Sequence, residues 1–193
     1  MGGKKVYMIE KIQLCFEKRK VVSLYYDLNN MDAHLTGYIE GFSGEEILVA
    51  HISSHGLYDG YILKRIDEIY RIDYDGKYEK KIERLYTIKQ QSHKKIPFNN
   101  DMKTILEDAL HFAQNNNYII SLEFSDSYIS GIIDSFNDRL ISIRIVEDDG
   151  SESGISVIEF SDIDTISVDT DDEQDIKLLR MNRQRRSPEH TDV

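Results

Sequence analysis

The chain has 193 residues, 40% of them hydrophobic, 31% charged and 10% aromatic, enough apolar material for one ordinary packed domain or two small ones. No apolar run approaches the ~20 residues that span a bilayer, Met1–Lys5 lacks the apolar stretch of a secretory signal, and one cysteine, Cys15, excludes an internal disulfide framework and a cysteine-rich zinc site, so a soluble chain in a reducing, cytoplasmic setting without membrane contact is expected. The net charge of −11 is uneven, with 16 Lys+Arg against 14 Asp+Glu in residues 1–95 and 8 against 21 in 96–193, which excludes nucleic-acid phosphate from most of the second half.

In chain order, Met8, Ile12 and Cys15 or Phe16 recur at helical spacing, predicting a leading helix with Cys15 as a buried thiol on its apolar stripe. Five short strand patterns rich in Val, Ile, Tyr and Phe follow: Val21–Tyr26, Leu35–Phe42, Ile47–Ser53, Gly60–Lys64 and Ile69–Asp73. Ile82 and Leu85 then mark a short closing helix. Residues 86–104, with Gln90-Gln91-Ser92-His93 and Pro97, read as a connector. Ile105, Ala109 and Phe112 predict a second leading helix, which Asn115-Asn116-Asn117 ends with residues that tolerate a left-handed backbone. Strand patterns then return at Tyr118–Phe124, Tyr128–Ser135, Leu140–Glu147, Gly154–Glu159 and Ile163–Asp169, before Ile176 and Leu179 mark a second closing helix. The arginines 180, 183, 185 and 186 form a basic stretch, read as a solvated helix end or a latch onto the chain's own acidic part. Ser187–Val193 reads as disordered.

The second series repeats the first. At an offset of 94, Gly37–Leu85 aligns without a gap on Gly131–Leu179 with 12 identities in 49 positions, among them Gly56/Gly150, Gly60/Gly154, Glu79/Glu173 and Ile82/Ile176. Upstream the offset is 98, where Val21-Val22-Ser23-Leu24 meets Ile119-Ile120-Ser121-Leu122. The expected organisation is a first copy over 6–85, the connector, a second copy over 105–180, and a basic then disordered tail over 181–193. Gly37 and Gly131 fall inside strands, where glycine marks a bulge or bend, and Ser54-His55-Gly56 and Asp148-Asp149-Gly150 read as hairpin turns using glycine's positive φ.

The segments Leu35-Thr-Gly-Tyr-Ile-Glu-Gly-Phe42 with Ile47-Leu-Val49, then Gly60–Ile69, and their counterparts Ile129–Phe136 and Ile155–Ile163, resemble the Sm-like (LSm) family of SH3-like small β-barrels. The opening Lys18-Arg-Lys-Val-Val-Ser-Leu-Tyr-Tyr26 is similar to that of WYL domains. The resemblance implies a mainly β fold with short helices: two tandem Sm-like, five-stranded barrels, each preceded by an α-helix, as a pseudo-dimer within one chain or as a homo-oligomer. The family's RNA pocket does not carry over, because Phe42 is followed by Ser43-Gly44-Glu45 and Phe136 by Asn137-Asp138-Arg139, and only the first copy keeps a basic pair, Lys64-Arg65.

No catalytic, cofactor-binding or metal-ligating residue is assigned. The chain has no Gly-x-Ser-x-Gly elbow, no phosphate-cradling Gly-rich loop and no EF-hand spacing in Glu147-Asp148-Asp149 or Asp169–Glu173. His51 and His55, with Asp59 nearby, read as loop histidines rather than a metal site. The expected function is therefore a non-catalytic accessory, regulatory or inhibitory module that docks a basic protein partner. Its acidic surface would comprise Glu147, Asp148, Asp149, Asp162 and Asp164. The alternative is an RNA- or nucleotide-binding regulator that uses the first copy. There Lys18, Arg19, Lys20, Lys64 and Arg65 would contact phosphate while Tyr25, Tyr26 or Tyr61 stacks on bases.

Overall fold

The structure, a computed structural model, describes residues 2–98, 105–125 and 127–186. It is mainly β, with two compact units, Met1–Phe112 and Ala113–Val193. The first unit opens with α1 (Gly2–Glu17), continues through β1 (Val21–Tyr25), β2 (His34–Phe42), β3 (Glu46–Ile52), β4 (Tyr58–Arg65) and β5 (Arg71–Tyr74), and then forms α2 (Lys77–Ile88). All pairings are antiparallel and the strand order is β5-β1-β2-β3-β4. α1 packs on β2 and α2 on β1. Ile12 and Cys15 are fully buried, and burial pushes the Cys15 thiol up to about 11; this is the inert thiol expected. The helix stops where Arg19 turns left-handed at φ 49°, with Arg19 N–H donating to Phe16 O and Lys20 N–H to Cys15 O. That pair of bonds satisfies carbonyls that the helix end would otherwise leave open.

α3 (Ile105–Asn115) runs across the boundary between the units, so its first eight residues belong to the first unit rather than opening the second. Asn117 (φ 50°) ends it with the same two bonds, to Gln114 O and Ala113 O, as Asn115–Asn117 leads one to expect. The second unit then forms β6 (Ile119–Phe124), β7 (Ser127–Phe136), β8 (Leu140–Val146), β9 (Glu152–Glu159), β10 (Thr165–Val168) and α4 (Asp171–Arg186). Its order, β10-β6-β7-β8-β9, copies that of the first unit. α4 packs on β6.

Residues that the sequence aligns occupy matching places within each unit. Val21, Ile52 and Ile82 form a buried cluster with Tyr38 against it, and so do Ile119, Val146 and Ile176 with Ile132. Gly56 (φ 71°) and Gly150 (φ 80°) sit in the expected hairpin turns. A Cβ on Gly56 would meet Leu85 and Tyr86 of α2, and one on Gly150 would meet Leu179 and Arg180 of α4. Each turn is thus pressed on the closing helix. Gly37 and Gly131 are needed for close approach, since a Cβ there would run into Ala50 O or Arg144 O of the neighbouring strand. The bulges themselves lie further on, at Ile39/Gly41 and Ile133/Ser135.

Two expectations are corrected. The sheets are open: among the described residues no ladder joins β4 to β5 or β9 to β10, so neither unit closes as a barrel. Closure would require the last strand of a unit to pair with that unit's fourth strand as well as with its first. β5 and β10 have only four residues, which pair with β1 and β6, and a single 3₁₀ turn (Ile66–Glu68, Phe160–Asp162) carries the chain away from the preceding strand. The connector is more structured than its composition suggests, since α2 extends to Ile88 and Ile96 is buried. The basic stretch of arginines forms the end of α4, which runs through Arg186. The predicted disorder of Ser187–Val193, and the connector's last six residues, lie outside the described residues.

Candidate functional site

A cavity of about 730 Å³ opens in the second unit between the β6–β7 hairpin and the start of α4, within the ~300–1,000 Å³ range of small-molecule sites. Among the described residues five carboxylates line it (Glu123, Asp148, Asp172, Glu173 and Asp175), and no lysine, arginine or histidine does. Hydroxyls of Ser121, Ser130, Ser167 and Thr170 cover the floor, and Ile176 and Leu179 supply apolar wall. The floor is tightly built. Ser121 Oγ lies 2.8 Å from Ser130 Oγ and donates to Glu173 Oε1 at 2.6 Å. Glu173, 3% exposed, also accepts Thr170 N–H at 2.8 Å and the Thr170 hydroxyl at 2.5 Å. Thr170-Asp-Asp-Glu173 thus makes the glutamate half of a capping box at the start of α4, and Glu173 ties that helix to β6. At the rim, the exposed Tyr128 donates its hydroxyl to Asp148 at 3.1 Å, and that bond pushes the phenol's pKa up.

The first unit has the same floor. Ser23 Oγ donates to Glu79 Oε1 at 2.6 Å and lies 3.3 Å from Thr36 Oγ1. Above it, where the second unit has Glu123, Tyr128 and Asp172, stand Tyr25, His34 and Tyr78, packed ring to ring at 5.1 and 5.3 Å. Bulky rings stack over the floor in one unit, and carboxylates surround the cavity in the other.

The acidic residues singled out by sequence do not form one surface. Asp148 reaches the cavity rim. Asp149 is held by Arg183 (2.8 Å) and by Ser151, whose hydroxyl and N–H bonds draw its carboxyl below the usual range, with Arg183 adding to the effect. Glu147 is exposed in the same turn. Asp162 and Asp164 lie beyond the other end of the eight-residue β9, roughly 26 Å away at ~3.3 Å per residue. Arg180 pairs with Glu152 at 2.6 Å, so the basic stretch of α4 latches onto the acidic turn of its own unit.

Four of the five basic residues proposed to meet phosphate are engaged within the first unit. Arg19 pairs with Glu40 at 2.7 Å and Lys20 with Asp75; Arg65 pairs with Asp67 at 3.0 Å. Lys64, only 5% exposed, lies 3.5 Å from Glu68 and 4.1 Å over the Tyr26 ring. Tyr61 is 1% exposed, donates its hydroxyl to Lys94 O and packs edge-on against Phe112, so it is not placed to stack on a base. Arg71 covers Tyr25 at 4.3 Å. Lys18 is exposed at the end of α1. His51 pairs with Asp59 (Nδ1 to Oδ2, 3.2 Å), while His55 stands exposed in the next turn.

Sequence reasoning missed one buried relay. His93, in the stretch read as connector, lies 2.9 Å from Glu40 Oε1 through Nε2 and 2.9 Å from the Tyr86 hydroxyl through Nδ1. Its ring stacks on Tyr58 at 5.6 Å. Burial raises the Glu40 pKa, but hydrogen bonds and charge from His93 and Arg19 outweigh it and hold the carboxyl below its ordinary range. Burial pushes the Tyr86 phenol up to about 12. The relay is fully partnered, and it fastens the segment after α2 to the sheet.

No family model matches the chain, and no curated protein matches it. Among solved structures, a crystal structure of MrkH from K. pneumonia is similar at 9% identity and a TM-score of 0.19, over 97% of this chain and 98% of that one. MrkH in its apo state is similar at 8% and 0.20, over 95% and 97%. At those TM-scores neither likeness bears on fold or function.

Proposed function

We propose that the chain is a non-catalytic binding module whose second unit receives a cationic segment of a protein partner in the acidic cleft. The observation that carries this is a cavity with five carboxylates, a hydroxyl floor and, among the described residues, no cationic lining residue. Carboxylates accept charge-assisted bonds from arginine or lysine, and serine hydroxyls add acceptors for the remaining N–H groups. The exposed Tyr128 rim offers a ring face for the cation's approach. The units are read as a tandem duplication of an Sm-like, SH3-like element without barrel closure. Supporting that are the common strand order, the 3₁₀ turn before the last strand and the repeated Ser–Glu floor. In this reading the first copy, with its floor under aromatic rings, is the scaffold and the second is the receptor.

Titration calorimetry with an arginine-rich peptide tests it. Asp172→Asn/Asp175→Asn should weaken binding at least tenfold, whereas Asp162→Asn/Asp164→Asn, with the same change in net charge, should leave it nearly unaltered. Equal losses in both variants would reduce the effect to general acidity and refute the cleft. Tight binding of single-stranded RNA at physiological salt would favour the phosphate-binding alternative instead.

A further inference from the structure

A separate feature of the second unit points to self-association. β9 ends the strand order, so among the described residues one of its backbone edges faces no strand. Open edges in soluble proteins are normally guarded by charge, proline, a cover or a bulge. The five residues Gly154–Ile158 of β9 hold no charge and no proline, and the strand's bulge, at Ser153, lies toward its start rather than at its centre. Ile155 and Val157, on one face, are 62% and 64% exposed. Their aligned positions in the first unit, Tyr61 and Leu63, are 1% and 6% exposed.

The occupant is argued from the strand's own pattern. Placed antiparallel on a second β9 with Ser156 opposite Ser156, Ile155 meets the other copy's Val157 and Val157 meets its Ile155, so each aliphatic gains a cross-strand partner. Gly154, whose Cβ position has open space around it, then faces Ile158. Glu159 falls opposite Ser153 rather than a second glutamate. The flanking carboxylates are already compensated within each chain, Glu152 by Arg180 at 2.6 Å and Glu159 by Arg139 at 2.8 Å. No unbalanced like charges meet across the axis. We infer that β9 is an isologous homodimer edge, two copies pairing β9 to β9 with Ser156 on the two-fold axis.

Sedimentation and oxidative cross-linking of the full chain test this. The wild-type chain should show a concentration-dependent monomer–dimer equilibrium, and Val157→Lys should weaken it by roughly a hundredfold, because each substitution acts twice in a two-fold interface. In the register stated, Ser156→Cys places two Cα atoms about 4.5–5.5 Å apart, within disulfide reach, so mild oxidation should give a covalent dimer. Ser153→Cys puts the thiols on the order of 20 Å apart and should stay monomeric. Cys15 is fully buried and leaves the background clean. A wild-type chain that is monomeric at high concentration, or cross-linking through residue 153 instead of 156, would overturn the inference, as would capture of an unrelated extended peptide on β9 while the chain stays monomeric.

Discussion

Replacing Glu173 by alanine removes one carboxylate that serves three donors: Ser121 Oγ at 2.6 Å, Thr170 N–H at 2.8 Å and the Thr170 hydroxyl at 2.5 Å. A hydrogen bond to a charged group is worth about 1.5–3 kcal/mol, and loss of a helix cap costs ~1 kcal/mol. Ser121 keeps Ser130 at 2.8 Å, and the half-buried Thr170 can turn to water, so the bonds are not lost at full value. The expected destabilisation of the second unit is about 2–4 kcal/mol. Glu173→Gln keeps the volume and one acceptor for Ser121, but its amide cannot accept from Thr170 N–H, so it should cost roughly half as much. The chain has no tryptophan, so urea unfolding is best followed by far-ultraviolet circular dichroism. A loss below about 1 kcal/mol for Glu173→Ala, or equal losses for the two variants, would show that the carboxylate does not join α4 to β6 as described.

Gly150→Ala should destabilise by about 1–3 kcal/mol in the same assay, because φ is +80° and the new Cβ would press on the α4 backbone at Leu179 and Arg180; Gly44→Ala, with open space around it, should not. Glu40 has its carboxyl held below 4.5 in the folded state, so its contribution is complete above the unfolded value and fades as pH falls through the lower folded one. An acid titration of stability should therefore lose part of its slope below about pH 4.5 in Glu40→Gln. Arg183→Ala should leave the thermal midpoint nearly unchanged, and the difference should shrink further at high salt, since both members of the Arg183–Asp149 pair are more than half exposed; a clear drop in the midpoint would make the latch a structural anchor.

Much of the architecture was legible because its signals are local or repeat. The alternation in Ile141–Ile145, the turn glycines 56 and 150, and the asparagines ending α3 each state their own conformation. The offsets of 94 and 98 matched residues that lie in corresponding places, such as Ile82 and Ile176. Barrel closure was not legible, because it depends on whether a four-residue last strand reaches the fourth strand of its own unit. The partners of the basic patch were not legible for a related reason. Counting Arg19, Lys20, Lys64 and Arg65 gives a charge, but Glu40 and Asp75, which neutralise two of them, lie 21 and 55 residues away. Half of the cleft was visible, since Thr170-Asp-Asp-Glu173 is a capping-box pattern that marks both the start of α4 and a buried carboxylate. The other half required comparison of the copies, where Tyr25, His34 and Tyr78 give way to Glu123, Tyr128 and Asp172.

Amide chemical-shift mapping of the full chain with an arginine-rich peptide reads most directly whether the cleft is the receptor. The account predicts perturbations centred on Glu123, Tyr128, Asp148, Asp172 and Asp175, fading with added salt as charge pairing is screened, with the aligned ring cluster of Tyr25, His34 and Tyr78 undisturbed. Shifts spread evenly over acidic residues of both units, or centred on Asp162 and Asp164, would contradict it.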